Sequence, residues 1–336
     1  QVAGIFIGII AGASPFWCLM LARIVTAALT IALGYYTLRL CPIFKWPLLL
    51  LLLLPSMCMH RVHIMPDALT VEICLFFIAL VLNARVRGIA PGVRGCLTLG
   101  GSALMIGQCK SMYIGIVALA ALLPAGTNKS RQRRALLTAA LLGLSAASSL
   151  SWSLYTLQTY GQTEDNTFSA LRAGRRLATL LQRPLEYLGN MMNQLGSLSQ
   201  YRHWITNQQM WGLGHIDHFW NYLPFFTAFT VLWAFTAARR MPCDAVIVFS
   251  RNERLMCMAI AMATALLLIT AVQLFDAGAH LFDGRLYAQG RYFLPLWLLV
   301  WIAIHSPALH NPQVRLCLPE LCIVAVLFLH LVAATN

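Results

Sequence analysis

Residues 255–275 read LMCMAIAMATALLLITAVQLF, a run of twenty-one positions without one charged side chain. An α-helix rises about 1.5 Å per residue, so about 20 apolar residues are enough to cross the roughly 30 Å hydrocarbon core of a bilayer. Inside that core every backbone polar group needs a partner from the segment itself, and a helix provides one for each. The stretch therefore predicts a transmembrane helix.

The composition of the whole chain agrees with this stretch. Of the 336 residues, 59% are hydrophobic and 10% are charged, and the mean hydropathy is +0.71. A soluble globular protein carries about 25% charged residues, so most of this surface faces lipid. A soluble enzyme, a disordered chain and a nucleic-acid-binding protein are excluded, and the bilayer itself is the first partner.

Apolar runs separated by polar or basic breaks predict an all-α, polytopic membrane protein of about ten spans. The predicted spans are residues 16–39, 46–60, 67–84, 96–109, 111–126, 135–158, 220–238, 255–275, 292–306 and 314–334. Three regions follow: transmembrane helices in 1–158, an amphipathic loop in 159–219 and further transmembrane helices in 220–336. Residues 1–15 precede the first span and predict a short interfacial helix.

Basic residues predict the orientation of these spans, because cytoplasmic loops are enriched in Lys and Arg. Alternate connections collect 14 of the 24 basic residues on one side. These are Arg39, Lys45, Arg85, Arg87, Arg94, Lys129, Arg131, Arg133, Arg134, Arg239, Arg240, Arg251, Arg254 and Arg315. The 159–219 loop is then extracytoplasmic, and Gln1 also lies outside. We therefore expect a further span upstream of Gln1, which would make the chain an N-terminally truncated fragment.

The 159–219 loop combines leucines at helical spacing with arginines. The pattern consists of Leu171, Leu177, Leu180 and Leu181 beside Arg172, Arg175, Arg176 and Arg183. A basic amphipathic helix of this kind lies on a membrane surface or covers a cavity. A solvated loop with helical turns is the alternative interpretation.

Ionisable groups at membrane depth cost about 2.5–3.5 kcal/mol on insertion scales and therefore mark candidate sites. Arg23 lies about two turns into its span, and is interpreted either as a phosphate or carboxylate ligand or as an ion-pair partner of Asp67 or Glu72. Asp67 is either a helix N-cap or a carboxylate facing an outer cavity. Glu72 is interpreted as an ion-pair residue.

Lys110 and Arg291 are the candidate phosphate ligands. Lys110 lies where the short spans 96–109 and 111–126 meet, and polar groups at such a break must be buried in protein or line a wet cavity. Arg291 belongs to the string Gln289-Gly290-Arg291-Tyr292-Phe293-Leu294-Pro295, in which an arginine fork suits a phosphate and Tyr292 supports it. A snorkelling lysine and an interfacial Arg–Tyr anchor are the alternatives.

Two clusters resemble metal sites but do not lead us to assign one. The first consists of soft ligands that suit copper: Met57, Cys58, Met59, His60, His63 and Met65. The second combines His215, Asp217 and His218, which would suit a divalent cation.

The order of motifs resembles the bacterial predicted-membrane-protein family called domain of unknown function 2142. The similar points are Leu21-Ala22-Arg23, Leu54-Pro55, Pro66-Asp67-Ala68-Leu69, Lys110-Ser111-Met112-Tyr113, Trp211-Gly212-Leu213-Gly214-His215-Ile216-Asp217 and Gln289–Pro295. The resemblance runs over nearly the whole chain.

That resemblance implies a relationship to the GT-C superfamily of membrane glycosyltransferases. Such enzymes take a sugar from a polyprenyl-phosphate-linked donor on the non-cytoplasmic face, with an acidic general base in the first outer loop. In this chain that acid would lie upstream of Gln1. The resemblance also implies that Lys110 and Arg291 hold the lipid phosphate, and that Asp67 is a second acid facing the outer cavity.

The sequence thus predicts a multi-pass protein of the bacterial inner membrane, a GT-C-like glycosyltransferase in cell-envelope polysaccharide assembly. Its predicted catalytic residue is Asp67, and its predicted substrate-binding residues are Arg23, Lys110, Gln289, Arg291 and Tyr292. The lipid-linked sugar is its predicted partner and donor. A transporter or flippase of a lipid-linked or anionic substrate is the first alternative. A metal permease built on the Met57–Met65 cluster is the second.

Overall fold

The computed structural model describes residues 2–12, 14–62, 67–125, 128–160, 164–197, 199–200, 247–275, 281–282, 286 and 288–304. Every regular element that these residues form is a helix. The α-helices are α1 (Val2–Ile10), α2 (Pro15–Leu40), α3 (Lys45–Leu52), α4 (Pro55–Val62), α5 (Asp67–Arg87), α6 (Val93–Cys109), α7 (Ile114–Val117), α8 (Asn128–Tyr160), α9 (Glu164–Gln182), α10 (Pro184–Leu195), α11 (Arg251–Phe275) and α12 (Trp297–Ile304). The 3₁₀ helices are Ser111–Tyr113, Ala118–Leu122 and Gly290–Leu296.

Four helices within the described residues are long and apolar enough to cross a membrane. They are α2, α5, residues Arg131–Thr156 of α8, and α11. These helices coincide with the predicted spans 16–39, 67–84, 135–158 and 255–275. The prediction of a helical membrane protein is confirmed to this extent.

The spanning helices differ in how much of their surface the protein itself covers. In the most apolar window of α5, 61% of the residues are buried, compared with 22% in α2 and 17% in the spanning part of α8. Ile24 and Ile31 of α2 and Leu150 of α8 are among the large apolar side chains left more than half exposed. Apolar surface of this extent is unfavourable in water and stable against lipid. Helix α5 is therefore the central helix, and α2 and α8 lie at its periphery.

The region predicted as one span at 46–60 is instead two helices of eight residues each. Helix α3 ends at Leu52 and α4 begins at Pro55. Proline has no backbone N–H to donate and disfavours a helical conformation in the residue before it, so it begins helices more readily than it continues them. The prediction of a continuous span at 46–60 was wrong for this reason.

The predicted spans 220–238 and 314–334 lie outside the described residues. The span predicted at 292–306 begins as the 3₁₀ helix Gly290–Leu296, which contains Pro295, and continues as α12. The helix break predicted near Lys110 is confirmed: α6 ends at Cys109, and Lys110 is extended before the 3₁₀ helix Ser111–Tyr113.

Helices α5 and α11 run in opposite directions. The first residue of α5, Asp67, and the last turns of α11 line two neighbouring cavities. At the other end of both helices, Arg85 of α5 forms an ion pair with Glu253 in the first turn of α11, with 2.6 Å between Nε and Oε1. The bundle thus has an Asp67 end and an Arg85 end.

Helices α9 and α10 cover the Asp67 end. The Tyr187 hydroxyl donates to Gln273 Oε1 at 2.7 Å, and Arg176 donates to the backbone carbonyls of Gln273 and Leu274 at the end of α11. Tyr187 and Met191 pack on Ile269 and on Leu281 of the following loop. Burial raises the pKa of the Tyr187 phenol, which therefore stays a hydrogen-bond donor at neutral pH. The described part of the amphipathic segment, Glu164–Gln182 and Pro184–Leu195, is thus helical and docked on α11.

Candidate functional site

Three charged side chains from separate parts of the sequence meet at the Asp67 end. Lys110 Nζ lies 2.6 Å from Asp67 Oδ1, and Arg291 Nε lies 3.0 Å from Asp67 Oδ2. One carboxylate therefore holds both cations, one on each oxygen. We call Asp67, Lys110 and Arg291 the Asp67 ion cluster.

Each member of the cluster occupies a helix end. Asp67 is the first residue of α5, where a negative charge is favourable against the helix dipole. Lys110 is the extended residue between α6 and the next 3₁₀ helix, with φ −156° and ψ 114°. Arg291 is the second residue of the 3₁₀ helix Gly290–Leu296. The breaks in the helices thus bring the charges together.

Two tyrosines fix the geometry around the cluster. Lys110 Nζ lies 3.9 Å from the centre of the Tyr292 ring, a distance at which a cation is attracted to the ring face. The buried Tyr113 hydroxyl donates to the Tyr292 backbone carbonyl at 2.7 Å. This bond ties the helix that follows Lys110 to the helix that carries Arg291.

The cluster borders a small closed cavity of about 10 Å³, which is room for about one water molecule. The cavity is lined by Met57, His60, Asp67, Thr70, Val71, Lys110, Tyr113, Arg291, Tyr292 and Leu294. Two cations and one carboxylate leave the cluster with a net charge of +1. Side-chain exposure is 12% for Asp67 and Arg291 and 24% for Lys110, so Lys110 is the most accessible of the three.

A larger apolar groove adjoins the cluster on the side of α11. It has a volume of about 420 Å³ and is lined by Lys110, Met112, Leu268, Ala271, Val272, Phe275 and Tyr292. Lys110 and Tyr292 line both the groove and the closed cavity. The apolar groove therefore reaches Lys110, the most accessible charged group of the cluster.

Of the other predicted site residues, Gln289 lies next to this region and Arg23 does not. Gln289 precedes the 3₁₀ helix of Arg291, and its buried Oε1 accepts no hydrogen bond from a described residue. Arg23 is on α2 and is not among the residues lining the cavity or the groove. The alternative interpretation of Arg23, as an ion-pair partner of Asp67 or Glu72, does not hold, because these carboxylates pair with Lys110, Arg291 and Arg61. The interpretation of Arg23 as a phosphate or carboxylate ligand stays a prediction.

The pairing of Glu72 with Arg61 is a finding that the sequence did not indicate. Glu72 is fully buried, and Arg61 donates to its Oε1 through both Nε and Nη2. Glu72 also lies against Gly34 of α2, three turns beyond Arg23. The sequence did not single out Arg61, because α4 was not recognised as a separate short helix.

Metal binding finds no support within the part of the chain that the structure describes. No group of three or more His, Cys, Asp and Glu side chains is placed there to hold a metal ion. Met57 and His60 of the soft-ligand cluster line the closed cavity instead. His63, Met65, His215, Asp217 and His218 lie outside the described residues.

Comparison with known proteins agrees with the membrane character of the fold. No curated protein and no solved structure matches the chain. Residues 1–300 match the model of a family described as "Predicted membrane protein (DUF2142)". The match covers most of the chain, including α1–α11 and the whole Asp67 ion cluster, and the chain therefore belongs to the DUF2142 family of predicted membrane proteins.

Proposed function

We propose that the Asp67 end binds a polyprenyl-phosphate-linked sugar and that the protein is a glycosyltransferase of the GT-C type. The observation that carries this proposal is the position of the ion cluster beside the apolar groove, with Lys110 and Tyr292 in both. A lipid phosphate needs such a combination, since its head is anionic and its tail is apolar.

The charge of the cluster selects the type of phosphate. Lys110 and Arg291 are donors that suit phosphate oxygens, and Arg can present two parallel N–H groups to them. The net charge of +1 equals the single negative charge of a phosphodiester, which is the linkage in a polyprenyl-phosphate sugar. A phosphate monoester, with a charge of nearly −2, would leave the buried site with an uncompensated charge.

Asp67 pairs with both cations of the site. Its two oxygens hold Lys110 and Arg291 at 2.6 and 3.0 Å, as the two oxygens of a phosphodiester would. Binding therefore involves an exchange, in which the phosphate takes over the contacts to both cations while Asp67 stays inside the site, so that its negative charge still counts toward the net charge of +1. The closed cavity has room for about one water molecule, which fits a site that opens during this exchange.

The reaction follows from this arrangement. The acceptor hydroxyl oxygen attacks the anomeric carbon of the sugar, and the bond from that carbon to the phosphate oxygen breaks with its electron pair on the phosphate. Lys110 and Arg291 stabilise the leaving phosphate. Asp67, released from its contacts with the cations, takes the acceptor proton, a role that the family resemblance gives to an acid upstream of Gln1. The buried Oε1 of Gln289 is available to accept a hydrogen bond from a sugar hydroxyl.

Ligand binding to the full chain in detergent tests the lipid-phosphate site. The probe is mannosyl farnesyl phosphate, a monoanionic diester, and the reading is the bound fraction in native mass spectrometry. We expect Arg291→Gln to weaken binding about tenfold or more, the usual size of a lost charge-assisted hydrogen bond. Arg183→Gln is the control, since Arg183 lies between α9 and α10 with a side chain that is 64% exposed. Equal binding by the two variants would refute the site.

Catalysis requires a separate measurement. Membranes that contain the full chain are incubated with a radiolabelled polyprenyl-phosphate sugar, and labelled polysaccharide is separated from labelled lipid. We expect transfer by the wild-type chain and none by Arg291→Gln. Binding without any transfer would support the lipid-phosphate site and contradict the proposed glycosyltransferase activity.

A transporter or flippase is the second candidate, and the helix break at Lys110 favours it. Transporters bind substrates at interrupted helices near the middle of the membrane. Proteoliposomes loaded with a fluorescent polyprenyl-phosphate sugar separate the two functions. Movement of the intact lipid across the bilayer, with the sugar still attached, supports transport.

A further inference from the structure

A second polar cavity lies at the Arg85 end, where four helices begin or end. It has a volume of about 530 Å³. Its lining residues are Arg85, Gly88, Ala121, Leu122, Leu123, Pro124, Ala125, Arg134, Asn252, Glu253 and Met256. This volume falls in the range of about 300–1,000 Å³ that small-molecule sites occupy. The cavity is remote from the Asp67 ion cluster, at the opposite ends of α5 and α11.

The one carboxylate among its lining residues is already engaged. Glu253 Oε1 accepts from Arg85 Nε at 2.6 Å, and Oε2 accepts from the Ser250 backbone N–H at 2.8 Å. The Ser250 hydroxyl in turn accepts from the Glu253 backbone N–H at 3.3 Å, which completes a capping box at the start of α11. Glu253 thus begins the helix and orients Arg85, and both of its oxygens are used.

Within the described part of the chain, the second arginine in the cavity has no carboxylate partner. Among the described residues, Arg134 donates through Nη1 to the Leu123 backbone carbonyl at 3.2 Å and makes no ion pair. The rest of its guanidinium group faces a cavity whose net charge is +1, from Arg85, Arg134 and Glu253. A half-buried arginine that pairs with no carboxylate among the residues the structure describes attracts an anion.

The remaining lining indicates an amphiphilic anion. Leu122, Leu123, Pro124 and Met256 give the cavity an apolar side next to the arginines. The cavity is also much larger than a phosphate ion. Basic pockets between transmembrane helices on the cytoplasmic side typically hold the head groups of anionic lipids. From the sequence we expect this end, with Arg85 and Arg134, to be the cytoplasmic one.

We propose that the cavity at the Arg85 end is a binding site for a phosphate group, supplied by the head group of an anionic phospholipid. Arg134 and the outer nitrogens of Arg85 contact the phosphate oxygens, and the apolar side accommodates the start of the acyl chains. The site is independent of the proposed glycosyltransferase function and uses none of its residues.

Native mass spectrometry of the full chain in detergent tests this site with phosphatidylglycerol as the probe. Phosphatidylcholine is the lipid control, because it carries the same phosphate with a cation beside it. We expect phosphatidylglycerol to be retained about tenfold better than phosphatidylcholine, and Arg134→Gln to abolish this preference. Arg133→Gln removes the same charge from the neighbouring, exposed position and is expected to retain the preference within about twofold.

A second variant tests the same cavity without changing Arg134, so that a folding defect of Arg134→Gln cannot decide the result. Ala121→Phe fills the cavity and leaves every charge in place, and we expect it to lose phosphatidylglycerol as Arg134→Gln does. Inorganic phosphate is added as a competitor to identify the source of the phosphate. Displacement of the lipid at millimolar phosphate supports a site for the free ion, and persistence of the lipid supports the head group. Equal retention of both lipids, or equal behaviour of Arg134→Gln and Arg133→Gln, would overturn the proposal.

Discussion

Asp67 decides the charge of the Asp67 ion cluster, because among the described residues its carboxylate contacts both cations there. Replacing it by Asn keeps the shape of the side chain and raises the net charge of the cluster from +1 to +2. The variant should therefore favour a dianionic phosphate monoester over a monoanionic diester.

The corresponding prediction is a change of ligand preference. For Asp67→Asn, we expect the affinity for farnesyl phosphate relative to mannosyl farnesyl phosphate to rise about tenfold, which corresponds to about 1.4 kcal/mol. Titration of both ligands into wild type and variant gives the ratio directly. An unchanged ratio would mean that Asp67 does not set the charge of the phosphate site.

The buried pair of Arg61 and Glu72 is a separate feature at the residue scale. Removing one partner leaves an uncompensated buried charge, which usually costs about 3–5 kcal/mol, whereas apolar replacement of both partners is often nearly neutral. We expect Glu72→Leu and Arg61→Leu each to destabilise the protein strongly, and the double variant to be more stable than either.

Thermal unfolding of the detergent-solubilised protein measures the stability of the two single variants and of the double variant. The informative quantity is the coupling between the two substitutions in a double-mutant cycle. If the double variant loses the sum of the two single losses, the residues act independently, and the pairing contributes nothing to stability.

At the scale of helices, close contact between α6 and α8 depends on one glycine. A Cβ atom at Gly107 would lie 2.1 Å from the Ser145 backbone carbonyl oxygen, far inside van der Waals distance. Small residues allow helices to approach closely in membranes, where packing replaces the hydrophobic effect as the force between helices. The contact is reinforced by the Ser148 hydroxyl, which donates to the Leu104 carbonyl at 3.0 Å.

Gly107→Ala should therefore push the two helices apart. We expect a loss of about 1–3 kcal/mol, the usual cost of overpacking, seen as a lower melting temperature. Gly101→Ala on the same helix is the matched control, since a Cβ there meets no atom within 4 Å, and it should be neutral or slightly stabilising. Equal melting temperatures for the two variants would contradict the close contact.

The sequence predicted the helices correctly where an apolar run is long and uninterrupted. Residues 255–275 belong to α11, Arg251–Phe275, because no proline or charge interrupts them. The region 46–60 is also largely apolar but contains Pro55, and the chain divides there into α3 and α4. Hydropathy measures the preference for lipid and does not report where backbone hydrogen bonding stops.

At the scale of the whole molecule, the cap formed by α9 and α10 is held to α11 by polar bonds. Tyr187→Phe removes the bonds to Gln273 Oε1 at 2.7 Å and to the Thr270 hydroxyl at 3.1 Å, and leaves the packing of the ring in place. We expect the cap to open more often, with a change of about 1–2 kcal/mol in its local stability.

Hydrogen exchange measured by mass spectrometry on the full chain reads out this opening. Amides of Pro184–Leu195 should exchange about tenfold faster in Tyr187→Phe, and those of α5, which the cap does not contact through Tyr187, should be unchanged. Faster exchange everywhere would indicate global destabilisation instead of a loosened cap.

The sequence predicted which residues belong to the candidate site but not which of them contact each other. Lys110 and Arg291 were singled out because charges are costly at membrane depth. Lys110 also lies at a predicted helix break, and the arginine fork of Arg291 suits a phosphate. Their common attachment to Asp67 joins positions 67, 110 and 291, and no sequence pattern reports contacts over such separations. Tyr113 was missed for the same reason, since its bond to Tyr292 also crosses between distant segments.

The sequence by itself determined that this chain is a helical membrane protein, because the preference of a side chain for lipid or water is a property of the residue and adds up along a run. It also determined which charges are unusual, since those charges interrupt apolar runs. Only the tertiary structure decided which charges share a site, that Arg61 and not Arg23 neutralises Glu72, and that an apolar groove adjoins Lys110. These features depend on which helix ends meet, and that is fixed by packing between helices that are distant in the chain.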